Sequence, residues 1–262
     1  MNCHAVREIY PWLYSIRDPY DAYCYLALGS ERALLFDAAH GIGDLRGAVR
    51  EVTDKPVAVA LGHGHLDHIG GAFQFDEVWL READFDLCRR HASEKSRRKT
   101  LERFAADEQA LPEGFDREAY LKAGIGDLRK MESGQVFDLG GLRLEAVGME
   151  GHTAGSAGLF APEHRTLLAS DSVGPHVWLF LRESRPMGEY IAMLERVWRL
   201  GFDAFFPGHS DEPLPKADFQ KYIRAARNAS IEKARPYPIF PEFGGWLYKE
   251  DGAAVVFHKD KL

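Results

Sequence analysis

Three imidazoles and one carboxylate fall within six consecutive positions of this chain, at His63, His65, Asp67 and His68. Glycines surround them at Gly62, Gly64, Gly70 and Gly71, where they let the backbone fold tightly. Neutral imidazole and carboxylate are the ligand types that borderline divalent cations such as zinc prefer. One histidine after a strand would be ordinary; four ligand-type side chains in so short a stretch point to a metal site. His63 and His65, two apart, face the same way if the chain stays extended, so they can share an ion. Asp67 and His68 arrive too late for that tetrahedral centre and start a second one.

A two-ion site needs more ligands, and three candidates follow. His152 lies in Gly151-His152-Thr153-Ala154-Gly155, Asp171 directly after the apolar run Thr166 to Ser170, and His209 in Pro207-Gly208-His209. Each stands just past a stretch that reads as a strand, where side chains from different strands converge. His152 would complete the first centre, His209 the second, and Asp171 could bridge them. Water held between two cations loses a proton near neutral pH and becomes a nucleophile toward an ester, lactone, thioester or phosphoester. Asp67, beside that nucleophile, is the catalytic candidate for shuttling the proton. A serine or cysteine nucleophile is not required, and Ser156 and Ser172 read as turn-shaping residues. For the substrate pocket the candidates are His40, His176, Trp178, Phe240 and Trp246, with plain packing, or for His40 a simple turn, as the competing explanation. His4, His91, His164 and His258 read as ordinary surface or loop histidines.

The elements that must position these residues are legible in part. Ile9-Tyr10, Ala22 to Leu28 and Ala33 to Phe36 read as β-runs, the last two joined by Gly29-Ser30-Glu31-Arg32. Asp37 and His40 end that hairpin and suit a supporting or pocket role. Ile42, Leu45, Val49 and Val52 recur at helical spacing. Pro56 to Leu61 reads as a buried strand that delivers the histidine cluster. Glu77 to Leu80 follows as a strand, with a helix from about Glu82. Residues 89–130 change character: Arg89, Arg90, Lys95, Arg97, Arg98, Lys99 and Arg103 face only Glu94 and Glu102 up to Arg103. This stretch reads as a helical insertion, either a solvated face or a lid whose cations attract an anionic substrate. Strands are expected around 142–146, 157–160, 166–170 and 204–206, and helices around 191–198 and 219–226. Asp251-Gly252, between two apolar runs, signals a hairpin within a C-terminal hairpin or lid at about 235–262.

At 262 residues, 45% apolar and 28% charged, the chain is long enough for a full core, and no linker or repeat divides it, so one domain over 1–262 is expected. A net charge of −7 speaks against gripping a nucleic-acid backbone. No apolar run is long enough to span a bilayer, and the start, Met1 to Glu8, lacks the pattern of a signal peptide. Cys3, Cys24 and Cys88 are scattered and form no CxxC, consistent with reduced thiols in the cytoplasm. The expected partner is a small molecule, an anion in the lid reading, with neither nucleic acid nor membrane; oligomeric state is left open.

With His63-Gly64-His65-Leu66-Asp67-His68, Gly151-His152-Thr153, Asp171 and Pro207-Gly208-His209 in this order, and Leu35-Phe36-Asp37 upstream, the chain resembles the metallo-β-lactamase superfamily from about Val6 to His209. The resemblance implies an α/β (α+β) fold, an αββα sandwich of two mixed β-sheets flanked by helices, with metals at one edge. It implies that His63, His65 and His152 hold the first ion, that Asp67, His68 and His209 hold the second, and that Asp171 bridges. The ions expected are a pair of Zn2+, with Mn2+ or Fe2+ as alternatives. Asp171 stands near where true β-lactamases of this kind carry a cysteine, so the glyoxalase II, lactonase and phosphoesterase branches are the better match. Two other readings stay open: a persulfide dioxygenase-like oxidoreductase with one iron, and a metal-binding module without catalysis.

Overall fold

The computed structural model describes residues 3–262; Met1 and Asn2, which begin the N-terminal stretch read above, lie outside the described residues. The first half builds one seven-stranded sheet in simple chain order: β1 (Ala5–Tyr10), β2 (Leu13–Arg17), β3 (Tyr23–Leu28), β4 (Ala33–Phe36), β5 (Val57–Ala60), β6 (Val78–Leu80) and β7 (Leu128–Lys130). Pairing is antiparallel from β1 to β4 and parallel from β4 to β7. The parallel crossovers carry α1 (Leu45–Val52), α2 (Leu66–Ile69), α3 (Phe85–His91), α4 (Glu94–Ala106) and α5 (Arg117–Lys122).

The second half supplies β8 (Val136–Asp138), β9 (Arg143–Gly148), β10 (Ala157–Ala161), β11 (Thr166–Ser170), β12 (His176–Leu179), α6 (Met187–Trp198), β13 (Ala204–Pro207), β14 (Leu214–Pro215), α7 (Phe219–Asn228), β15 (Arg235–Pro236), β16 (Trp246–Glu250) and β17 (Ala253–Phe257). Six of these strands make a second sheet in the order β14-β13-β11-β10-β9-β8, and four make a third, β12-β17-β16-β15.

Period-two alternation explains the layers. Along β3 and β4, Tyr25, Ala27, Leu34 and Phe36 point into the core shared with Leu144, Ala146, Leu159, Leu168 and Phe206 of the second sheet. Their neighbours Cys24, Leu26, Ala33 and Leu35 point the other way, against Leu45, Ala48 and Val49 of α1 and Ile69 of α2. On the far side, Leu167, Ala169 and Phe205 pack with α6 and α7 through Leu194, Val197, Phe219 and Ile223. The order of layers is therefore helix, sheet, sheet, helix.

Three expectations need correction. The expected sandwich carries a third sheet as well, because the tail's β16 and β17 pair with β12, a strand not read from the sequence although Val177 and Trp178 are strand formers. Residues 128–130 close the region read as a helical insertion, yet they form β7 beside β6, since an edge strand needs only three residues of pairing. Arg97, read as part of a charged face, is fully buried and donates to the carbonyls of Ala92, Gly70 and Gly124. The tail hairpin turns at Asp251 (φ 50°) and Gly252 (φ 80°), the paired positive values of a two-residue turn. No helix among the described residues is long and apolar enough to cross a membrane.

Candidate metal centre

Parallel strands β4 and β5 end side by side, and their exits bring Asp37 and the His63–His68 segment together. From the second sheet, the loop after β9 carries His152, and the ends of the parallel pair β11 and β13 carry Asp171 and His209. Gly208 is required for this approach: a Cβ there would collide with Asp171 Oδ1.

The geometry forms two abutting groups. His65 Nδ1 stands 3.0 Å from His63 Nε2 and 2.9 Å from His152 Nε2. Beside it, His68 Nε2 lies 3.4 Å from Asp171 Oδ1 and 3.7 Å from Asp67 Oδ2. His209 Nε2 lies 3.4 Å from Asp171 Oδ2 and 3.6 Å from Asp67 Oδ2. His152 Nε2 is 3.9 Å from Asp171 Oδ2, so this carboxylate faces both groups. His63, His68 and His152 are buried, whereas Asp67 and His209 sit on the open side.

The outer nitrogens decide what the inner ones can do. His65 Nε2–H donates to Glu183 Oε1 (2.8 Å), His68 Nδ1–H to Asp37 Oδ2 (2.9 Å), His152 Nδ1–H to the Trp178 carbonyl (2.8 Å) and His209 Nδ1–H to the Asp21 carbonyl (3.1 Å). An imidazole that carries a single N–H, committed in this way, presents a lone pair at its inner nitrogen. Lone pairs of His65 and His152 then face each other at contact distance, and buried His68 Nε2 has no hydrogen-bond partner among the described residues. Such an arrangement repels itself unless a cation lies between the nitrogens. The donor set thus fits the divalent ions that the ligand types imply.

Electrostatics point the same way. Burial holds His63 well below the ordinary histidine value, with the neighbouring His68, His65 and His152 adding to it. His152 is pushed down to about 4 by burial and His65. Asp171 raises His209 to about 9, and although burial opposes it, Asp171, Asp37 and Asp67 hold His68 well above 6.5. Burial would lift Asp67 and Asp171, but His68 and His209 keep both depressed. Burial thus disfavours a proton on His63 and His152, whereas the neighbouring carboxylates Asp67 and Asp171 demand positive charge.

Two buried carboxylates hold the loops. Asp37 accepts from Gly62 N–H (2.6 Å) and Ser170 Oγ–H (2.8 Å) besides His68. Asp84 accepts from Gly64 N–H (2.9 Å), Gly155 N–H (2.7 Å) and Thr153 Oγ1–H (2.7 Å), tying the two histidine loops together. Sequence reasoning reached Asp37 but missed Asp84 and Glu183, since neither belongs to a spaced motif. His91 was also misread: its ring lies 4.9 Å from that of His65, and burial lowers it to about 4. His4 is likewise buried, and His164 stacks on Trp12 at 4.3 Å. His258 accepts from Asp260 N–H and stays away from the centre.

A cavity of about 860 Å3 opens over both groups. His40, His176, Trp178 and Phe240 line it as expected positions, together with Phe243 and Leu181. His40 is held by Asp18 at 2.8 Å. Trp246 is a correction: it packs on the core under α7 from the inner side of β16 and does not line the cavity.

A family model described as the metallo-beta-lactamase superfamily matches residues 17–209. The chain is 26% identical over 203 residues to the acyl-coenzyme A thioesterase MBLAC2 of Bos taurus, with 71% of each chain covered. It is 24% identical over 153 residues to the probable metallo-hydrolase YqgX of Bacillus subtilis (strain 168), covering 58% of this chain and 66% of the other. The solved metallo-beta-lactamase of Pontibacter korlensis shares the fold at a TM-score of 0.59 and 15% identity, covering 86% of this chain and 100% of that one. With the match running from residue 17 to residue 209 and taking in every candidate ligand, the chain belongs to the metallo-β-lactamase superfamily.

Proposed function

We propose that this chain is a hydrolase of ester-class bonds, thioesters first among ester, lactone, thioester and phosphoester, working with two divalent ions held by His63, His65 and His152 and by Asp67, His68 and His209, with Asp171 between. The observation that carries the reading is the convergence of bare imidazole nitrogens whose outer N–H groups are all committed elsewhere. The thioesterase relative supports the choice of bond. Bound there, the ions, zinc foremost with manganese or iron as alternatives, supply Lewis acidity that makes water nucleophilic near neutral pH and polarises the scissile carbonyl or phosphoryl group.

The chain's own residues do the rest. Asp37, Glu183 and the Trp178 carbonyl hold the rings of His68, His65 and His152 in one orientation, so no reorganisation is needed during reaction. Asp67 Oδ2, on the open side, takes the proton of the attacking water and returns it to the leaving group. The water oxygen forms the new C–O bond, the C–S bond breaks, and acid and thiol are released. Trp178, Phe240 and Leu181 give the cavity an apolar wall beside the reacting carbonyl. The free thiols Cys3, Cys24 and Cys88 are in keeping with a reducing, cytoplasmic setting.

The test is metal analysis coupled to a panel of thioesters, lactones and phosphoesters. Two equivalents of zinc or manganese, with turnover that disappears in Asp67→Ala, support the proposal. One iron per chain with oxygen consumption, or turnover untouched by Asp67→Ala, would overturn it.

A further inference from the structure

Most arginines of this acidic chain sit beside a carboxylate, as Arg81 does with Glu150 and Arg165 with Asp203. Arg90, Arg103 and Arg182 belong to the minority that do not: among the described residues none of the three has a carboxylate within ion-pair distance, and all three are exposed. Arg103, in the last turn of α4, and Arg182, after β12, line the cavity over the metal centre. Arg182 also lines a second cavity of about 410 Å3, where it is joined by Arg90 from the last turn of α3. The two cavities share His91, Arg182 and Glu183 in their walls, so they adjoin. Glu183, the carboxylate of the second cavity, is already engaged by His65 Nε2–H at 2.8 Å.

Three cations without a carboxylate partner around these adjoining cavities draw anions toward them. Another part of the same wall is apolar, formed by Trp178, Phe240 and Phe243, with the rings of Trp178 and Phe240 5.8 Å apart. We infer that Arg90, Arg103 and Arg182 form a subsite for a phosphate-bearing leaving group, so that the substrate is an amphiphile with an apolar acyl part and an anionic leaving part. The inference rests on the hydrolase reading above for its orientation, with the scissile bond over the histidines. It also gives the basic stretch of α3 and α4 a role beyond solvation.

The experiment compares two thioesters of one medium-chain acid on metal-loaded enzyme, one of coenzyme A and one of uncharged N-acetylcysteamine. The expected result is kcat/KM about tenfold or more higher for the coenzyme A thioester, falling with added salt as surface charges are screened. In Arg182→Ala and Arg90→Ala the ratio between the two substrates should fall about fivefold, mainly through KM. Equal turnover of both thioesters, with a ratio unmoved by the variants, overturns the subsite and leaves the hydrolase reading standing. If neither thioester is cleaved, the thioesterase reading fails, and calorimetric titration of free coenzyme A still decides the subsite. Binding that weakens in Arg90→Ala/Arg182→Ala supports it, and absence of binding to the parent protein overturns it.

Discussion

Asp37 Oδ2 lies 2.9 Å from His68 Nδ1, and both groups are buried. The carboxylate sits at the end of β4 in the left-handed region (φ 65°), which Asp tolerates better than most residues. From there it fixes which nitrogen of His68 faces Asp67 and Asp171. Asp37→Asn keeps the size but offers one accepting oxygen to three donors. Metal affinity at the Asp67–His68–His209 group should fall about tenfold or more, with the fold retained. Competition against a chromophoric chelator, with circular dichroism as the folding control, measures this; unchanged occupancy would remove Asp37 from the role.

Asp84 ties the His63–His65 loop to the His152 loop without touching either candidate ion. Asp84→Ala leaves the N–H groups of Gly64 and Gly155 and the Thr153 hydroxyl without their acceptor. The metal-free protein should lose about 3 kcal/mol of stability, and Asp84→Asn clearly less. Urea unfolding under chelation is the measurement. A loss below about 1 kcal/mol for the alanine variant would show that the loops are held by other means.

Asp18 gives the chain a sensitivity to acid. Burial alone would raise its carboxyl, but His40 and the backbone N–H groups of Ala22 and Tyr20 outweigh burial and bring it below 3.8. A value depressed in the folded state means that the stabilisation is complete above 3.8 and is lost as pH falls through the folded value. Stability should therefore decline with a steeper slope below about pH 4 in the parent than in Asp18→Asn. Parallel slopes in thermal melts across that range would argue against the assignment.

Trp178 and Trp246 separate pocket from packing. Trp178→Ala should raise KM for a medium-chain acyl substrate about fivefold, from roughly 1 kcal/mol of lost apolar contact. Trp246→Ala should cost about 2 kcal/mol of stability, since it removes part of the core around α7, and leave KM as it was. Exchange of those two phenotypes would mean that the cavity wall has been misdrawn.

Much of the centre was legible from local pattern alone. The types and order of His63, His65, Asp67, His68, His152, Asp171 and His209 come from spacing and from the strand ends that precede them, because side chains alternate predictably along strands. The layers entered the sequence reading only through the family resemblance; in the structure they rest on alternation along β3, β4 and β11. What chain order could not settle is which distant groups stand behind the ligands. Asp84 and Glu183 reach the Gly64 and Gly155 amides and His65 across gaps of 20 to 118 residues. Such contacts are set by how two sheets pack, and a lone acidic residue carries no mark of them. The same holds for Trp246, whose neighbours include a helix, and for Arg97, whose charge suggested solvent while three backbone carbonyls enclose it. Ligand chemistry was written in the chain; its orientation, and the wall around it, came only with tertiary packing.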